Sequence, residues 1–426
     1  MLNVELSNIW SCVSLPDLLG CEKTLFDAHL RLRRNTPEDV PYLGWLGLPD
    51  SATARTLHAV RKAAEQIRSS SDVCVVLGSG GAFYAAQAAL ALLRAGAPET
   101  VPAPELIFAG NDLSTRAWLA LCNRLDGRDF SLHIISPAGS ELEVAVASRA
   151  VRWMMERRYG ADSKRRIFIS TLPDSPLAAM AQDGGYTLLP LPKERGGNFS
   201  ALTSATLLPI AAAGFEPLDL LEGAANAWRE YDLRAFENPV WLYAGARYAL
   251  THRSRTTEAL CCFEPEYAAL GTWWKHLLLA HTCRDGAGAL PVYFQLPAEQ
   301  DAIDASIGSG RYPVFETMLR VAAPAPRRVN VEMDWKDYDG LDYLSGKTLE
   351  DVERASFEAL VAAQEENGVP IIILELARMD AYHLGALFYC FELAAAICAE
   401  ADRVDPFEAP ELSARAAAAQ ALGKPD

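Results

Sequence analysis

Residues 73–82 read VCVVLGSGGA, an apolar run that passes directly into a turn of three glycines and one serine. A continuous apolar run of this length is typical of a strand covered on both faces of a parallel sheet. Residues 82–93 are rich in alanine and almost free of charge, so they predict a helix. The free N–H groups at the start of such a helix can hold an anion or the edge of a sugar. A tight strand–helix turn without any ligand is the alternative.

The glycine turn differs from the dinucleotide-binding pattern G-x-G-x-x-G, because Phe83 stands where the last glycine should be. The nine cysteines form no C-x-x-C pair and have no metal-binding spacing. We therefore expect neither a cofactor nor a metal. An odd number of cysteines without paired spacing also indicates reduced thiols, as in a cytoplasmic protein.

The composition excludes several classes of protein. With 50% hydrophobic and 22% charged residues, the 426-residue chain is too apolar for a disordered protein and long enough for two domains. A net charge of −16 argues against nucleic acid as a partner. The first ten residues, MLNVELSNIW, have no basic region typical of a signal peptide, and we expect no membrane-spanning segment.

Predicted strands and helices alternate from residue 71 onward, which indicates a mostly parallel sheet with helices on both faces. Ligands on such sheets bind beyond the carboxyl ends of the strands, where the loops at Gly78, Ser136 and Thr171 should converge. A second unit of similar pattern begins near Pro239. The predicted organisation is a lead-in (1–65), two α/β domains (66–220 and 235–405) and a C-terminal helical tail (406–426).

Five sequence motifs follow one another along the chain. They are YLGWLGLP at 42–49, LGSGGAFYAA at 77–86, FAGNDLS at 108–114, GGNFSALTSATLLPIAAAG at 196–214 and DGLDYLSGKTLEDV at 339–352. Together they resemble motifs of the glucose-6-phosphate isomerase family in its shorter bacterial form, over nearly the whole chain. The resemblance implies two sugar-isomerase (SIS) domains with a C-terminal helical tail, in a homodimer with its active sites at the subunit interface.

The positions that carry the chemistry of that family differ in this chain. Where the family has WWKQLYGESEGK, residues 273–284 read WWKHLLLAHTCR, which puts Ala280 at the position of the catalytic glutamate. Asp301 stands at the position of the ring-opening histidine. The family's C-terminal lysine is replaced by Arg415 or Ala416. A methyl group at residue 280 cannot move the proton that aldose–ketose isomerisation requires.

The phosphate-binding positions differ as well. The family's SKSGTT loop reads SPAGSE at 136–141, so Pro137 replaces a lysine and Glu141 replaces a threonine. Ala82 replaces a serine of the glycine turn, and Asn198 replaces the arginine of the GGRxS motif. We therefore expect a ligand that is not phosphorylated. With Glu141 and Asp301 in the pocket, an amine or a neutral polyol is favoured.

Two residues are candidates for proton transfer. Asp301 could be a general base, or only a solvated loop aspartate. His281 could turn into the position vacated at Ala280, or only cap the helix; His276, one turn earlier, is a weaker candidate. The candidate ligand-binding residues are Ser79, Gly80, Gly81, Ser136, Ser140, Glu141, Asn198 and Arg415.

Three hypotheses on function remain open. The first is an isomerase-like or cyclising enzyme acting on a non-phosphorylated small molecule through Asp301 and His281. The second is a non-catalytic family member that binds a ligand or a protein. The third is a glucose 6-phosphate/fructose 6-phosphate isomerase whose catalytic groups have been relocated. In each case we expect a small-molecule partner, a second copy of the chain and a cytoplasmic location.

Overall fold

A computed structural model describes residues 2–34, 54–95, 102–139, 141–192, 199–283, 286–323, 327–407, 417–418 and 420–423. It contains two five-stranded sheets. The first consists of β2 (Val73–Gly78), β3 (Glu105–Ala109), β4 (Phe130–Ile135), β5 (Ile167–Thr171) and β6 (Thr187–Pro190). The second consists of β1 (Leu2–Glu5), β7 (Thr257–Cys262), β8 (Leu290–Gln295), β9 (Val314–Val321) and β10 (Ile371–Leu376).

The first sheet is parallel throughout, in the order β3-β2-β4-β5-β6. The second has the order β1-β10-β9-β7-β8, in which only β1 runs antiparallel to its neighbour. The near-continuous apolar runs of this chain form strands that are buried on both faces. Such strands require helices on both sides of the sheet. The predicted α/β class with mostly parallel sheets is confirmed. Residues 2–5, predicted as part of a lead-in, form the edge strand of the second sheet.

Helices cover both sheets. Those of the first half are α1 (Leu15–Gly20), α2 (Glu22–Arg34), α3 (Ala54–Ser70), α4 (Gly81–Ala95), α5 (Thr115–Leu125), α6 (Leu142–Tyr159), α7 (Pro176–Gly184) and α8 (Ser204–Ala212). Those of the second half are α9 (Pro217–Glu230), α10 (Pro239–His252), α11 (Tyr267–His281), α12 (Gln300–Ser306), α13 (Leu349–Glu366) and α14 (Ala381–Ala401). Most of the predicted tail helix lies outside the described residues.

The main core lies between the two sheets and includes the apolar faces of α4, α8, α11 and α14. Helix α14 is long and apolar enough to cross a membrane by length and composition alone, but 94% of its apolar window is buried within the protein. It packs closely on α9, because Gly385 lies where an added Cβ would be 1.8 Å from the Leu220 carbonyl oxygen. Helix α14 is therefore the central helix of the core.

A buried ion pair lies on the face of the second sheet that contacts the main core. Arg247 on α10 donates from Nε to the Glu258 carboxylate on β7 at 2.6 Å, with both side chains almost fully buried. The hydroxyls of Tyr243 and Thr317 also donate to Glu258, at 2.8 and 2.7 Å. These hydrogen bonds replace the water that both charges lose on burial, as a buried pair requires.

Candidate functional site

The glycine turn follows β2 at the carboxyl edge of the first sheet. Gly78 is in register with Ile135 on the neighbouring strand β4, and an added Cβ would lie 2.9 Å from the Ile135 carbonyl oxygen. Gly80 has a φ of +78°, a conformation that favours glycine. Helix α4 then begins at Gly81. The structure thus forms the predicted turn and places it directly beside the end of β4.

The loop after β4 is the second part of the site. Ser136 is buried, and its N–H donates to the Ser170 carbonyl oxygen at 3.1 Å. Its hydroxyl donates to the carboxylate of Glu141, the residue that precedes α6. Gly139, between them, has a φ of +70° and approaches Leu177 closely. The structure therefore brings Ser136 and Glu141 together beside the glycine turn, and it places a carboxylate on this loop.

Helix α11, from the second half of the chain, packs on α4, the helix that follows the glycine turn. The ring of His276 stacks on that of Tyr84 with centroids 4.4 Å apart and an interplanar angle of 28°. His276 is half-buried, and burial, followed by the nearby Lys275, lowers its pKa below the ordinary value. The imidazole is therefore neutral at neutral pH and can accept a proton. Ala280 lies one turn further along α11.

Asp301 is not joined to this site by any contact between described residues. It lies in the first turn of α12 with an exposed side chain. Helix α12 follows β8, the edge strand of the second sheet. Within a single chain, Asp301 is therefore a solvated aspartate, which the sequence analysis gave as the alternative to a general base.

Ser140, Asn198, Arg415 and Ala416 lie outside the described residues, as does the motif at 42–49. Of His281, only the backbone at the end of α11 is described. Ser79 lies half-buried in the glycine turn between Gly78 and Gly80.

One buried carboxyl group on α14 was missed in the sequence. Glu392 on α14 is almost fully buried and accepts a hydrogen bond from the backbone N–H of Ala201 at 3.2 Å. Burial raises its pKa to about 8, although that hydrogen bond acts in the opposite direction. Ala201 belongs to the GGNFSALT motif that also contains Asn198. A single glutamate within the apolar run of α14 was the available signal.

No group of three or more metal-ligating side chains occurs within the described ranges. The candidate site therefore combines backbone N–H groups, two serine hydroxyls and one carboxylate at the carboxyl edge of a parallel sheet, and the His276 imidazole packs on the helix that follows the glycine turn. The fold, two mostly parallel sheets covered by helices, is that of the SIS class of α/β proteins.

Comparison with known proteins identifies the family. No family profile matches the chain. It is 37% identical over 408 residues to the glucose-6-phosphate isomerase of Symbiobacterium thermophilum, covering 93% of this chain and 90% of the relative. It is 32% identical over 421 residues to that of Clostridium perfringens strain SM101, covering 97% and 93%. The chain belongs to the glucose-6-phosphate isomerase family.

Solved structures agree in fold. A glucose-6-phosphate isomerase from Chlamydia trachomatis superposes with a TM-score of 0.82 at 15% identity, covering 99% of this chain and 88% of that one. A hypothetical protein from Thermus thermophilus superposes with a TM-score of 0.88 at 24% identity, covering 99% and 100%. The resemblance seen in the motifs is thereby confirmed at the level of the family and the fold.

Proposed function

We propose that this chain uses the isomerase fold for an isomerase-like or ring-closing reaction on a non-phosphorylated small molecule. The observation that carries the proposal is the hydrogen bond from Ser136 to Glu141. It places a carboxylate on the loop that resembles the family's phosphate-binding loop. A second negative charge about 5 Å away would be repelled by roughly 3 kcal/mol at an effective dielectric constant of about 20. A phosphate ester is therefore disfavoured at this loop.

The chemistry of the site favours a neutral polyol or an amine as the ligand. The N–H groups at the start of α4 can donate to hydroxyl or carbonyl oxygens. The Glu141 carboxylate can accept from a hydroxyl or an ammonium group. Aldose–ketose isomerisation removes a proton from the carbon beside a carbonyl and returns it to the neighbouring carbon, so it needs a group that can accept that proton.

We propose two acid–base groups, in different environments. His276 is neutral and lies against the helix of the glycine turn. Asp301 is exposed in its own chain, and it would act on the pocket of a second subunit in a homodimer. His281 stays a further candidate at the end of α11.

The homodimer is supported by an exposed aromatic segment at 327–349. Four of its large side chains are among the most exposed of the described residues, at 69–76% exposure: Met333, Trp335, Tyr338 and Tyr343. Large exposed apolar groups clustered in sequence are typical of protein interfaces. We expect Trp335→Lys to shift the mass in solution, measured by light scattering, from two chains to one. Trp153→Lys, at another exposed tryptophan, is the matched control and should leave the dimer intact.

A deuterium-exchange experiment tests the proposed reaction. Incubation in D₂O with glucose, glucosamine or glucose 6-phosphate should give deuterium at the carbon beside the carbonyl of the unphosphorylated sugars, detected by NMR. Asp301→Asn and His276→Gln should each reduce this exchange without lowering the melting temperature. Faster exchange with glucose 6-phosphate than with glucose would contradict the proposal and favour an isomerase with relocated groups.

A binding measurement tests the part played by Glu141. Glu141→Thr removes the carboxylate from the loop and should strengthen glucose 6-phosphate binding, measured by calorimetry. The distant and exposed Glu358→Thr is the control for the change in net charge. Equal effects of the two substitutions would show that the loop does not select against phosphate.

A non-catalytic family member is the second candidate, favoured by Ala280 and by the exposure of Asp301 in its own chain. Such a protein would bind a sugar or an amine, as seen in thermal-shift measurements, but would give no deuterium exchange at any protein concentration.

All nine cysteines are free thiols in the structure, which supports a reducing compartment such as the cytoplasm.

A further inference from the structure

A second cavity lies on the opposite face of the first sheet from the glycine helix α4. It encloses about 200 Å³ between α6 and the start of α7. The side chains that cover this face form a separate core cluster, whereas α4 packs in the main core. We propose that this cavity binds a tetrahedral oxyanion, either inorganic phosphate or the phosphate group of a monoester.

Two cationic side chains line the cavity. Arg149 and Arg152 are three residues apart on α6, so both project from one side of that helix toward α7. Arg149 is exposed, whereas Arg152 is half-buried. The Nε of Arg152 is inaccessible to solvent and has no hydrogen-bond partner in the described part of the chain. A buried donor of this kind is costly unless a ligand or water satisfies it.

Hydroxyl groups supply further donors. Ser148 lies on the face of α6 that packs on the sheet, between Val144 and Val151, and is only 4% exposed. Ser136 lines the cavity from the loop after β4. The Ser136 hydroxyl already donates to Glu141, so the donors left for the several oxygens of a tetrahedral anion are the two guanidinium groups and the Ser148 hydroxyl.

The electrostatic surroundings favour an anion. None of the described lining residues is acidic, and the one carboxylate beside them, that of Glu141 bonded to Ser136, is outnumbered by the two guanidinium groups. Helix α7 starts at its rim, since Pro176 and Leu177 are lining residues, so the positive end of the helix dipole lies close by. These features stand out in a chain whose net charge is −16.

The size of the cavity sets the class of ligand. At roughly 30 Å³ per water molecule, 200 Å³ corresponds to about seven waters. This space holds one phosphate group with a few bridging waters. The remainder of a phosphomonoester would have to extend out of the cavity past the exposed Arg149. The cavity shares Ser136 with the candidate site at the glycine turn, but Arg149, Arg152 and Ser148 do not belong to that site.

Calorimetric titration of the full-length protein with inorganic phosphate, at ionic strength held constant with NaCl, tests the proposal. We expect saturable binding of one phosphate per chain, and about 10- to 100-fold weaker binding in Arg152→Gln, because a charge-assisted hydrogen bond is lost. Arg157→Gln lies on the same helix outside this cavity, removes the same charge and should bind phosphate like the wild type. Ser148→Leu keeps both arginines but fills the cavity, and it should also abolish binding.

Titration with glycerol phosphate then distinguishes inorganic phosphate from a phosphomonoester as the ligand. If glycerol phosphate binds more tightly than phosphate, and Arg152→Gln weakens its binding by the same factor, a monoester is the preferred ligand. Absence of saturable binding of either compound, or equal loss in Arg152→Gln and Arg157→Gln, would overturn the proposal. Retention of binding in Ser148→Leu would do so as well. None of these measurements depends on the reaction proposed at the glycine turn.

Discussion

The stability of the protein should fall as the pH rises through neutrality, because of a carboxyl group buried in the second sheet. Glu316 lies on β9, and neither of its carboxyl oxygens has a hydrogen-bond partner among the described residues. Burial, with a smaller contribution from Asp304, raises its pKa from 4.5 to about 8. The folded state therefore holds a proton that the unfolded chain has already lost at neutral pH. We expect the protonated form in the folded protein at pH 7.

The size of this effect follows from the two pKa values. A carboxyl group whose pKa is higher in the folded state contributes its full stability below the unfolded pKa of 4.5 and loses it as the pH rises to the folded pKa of about 8. Within this window the free energy of unfolding falls by about 1.4 kcal/mol per pH unit. Over the whole window the loss is about 5 kcal/mol. Glu392, whose pKa is also raised to about 8, adds a second contribution of the same sign.

Urea unfolding at several pH values between about 5.5 and 7.5 measures the slope. In Glu316→Gln the free energy of unfolding should fall less steeply with pH than in the wild type, by about 1.4 kcal/mol per unit. Glu358→Gln, an exposed glutamate on α13, makes the same chemical change and should keep the wild-type slope. The slope is informative even if the amide lowers stability at every pH, because that cost does not change with pH. Equal slopes in wild type and Glu316→Gln would refute the argument.

Two further predictions concern packing and charge in the core. Glu258→Gln leaves the buried Arg247 guanidinium without a counter-charge. It should therefore lower the free energy of unfolding, measured by urea titration, by about 3–5 kcal/mol. The control Glu105→Gln, in a partly exposed ion-pair cluster, should lower it by about 1 kcal/mol or less. Gly385→Ala forces α14 away from the Leu220 carbonyl and should lower the melting temperature by several degrees or prevent folding, since the added Cβ meets backbone that cannot turn aside. A variant with wild-type stability in either case would contradict the contacts described.

The sequence predicted the elements with strong local signals. The strand at 73–78 and the helix that starts at Gly81 are found where the apolar run and the glycines indicated them. Strand β1 was missed because it has only four residues and gains its stability from pairing with β10, which is far away in the chain. Short segments of this kind carry too little pattern for recognition without their partners.

The candidate site depended on information that the sequence contains only in part. The motifs indicated that the loops at Gly78 and Ser136 carry ligand-binding residues. The expected convergence of the two loops at the carboxyl ends of the strands is confirmed by the pairing of β2 with β4. The contact between Tyr84 and His276 joins helices from different halves of the chain, and no local pattern predicts it. Glu392 was missed because its partner is a backbone N–H distant in sequence.

The packing of α4 on α11 has a mechanical consequence. One helix leaves the first sheet at the glycine turn, and the other connects β7 to β8 in the second sheet. A rotation of one sheet against the other would therefore slide the Tyr84 ring across that of His276. A ligand that holds the glycine turn in place would then restrain both halves of the chain rather than a single loop.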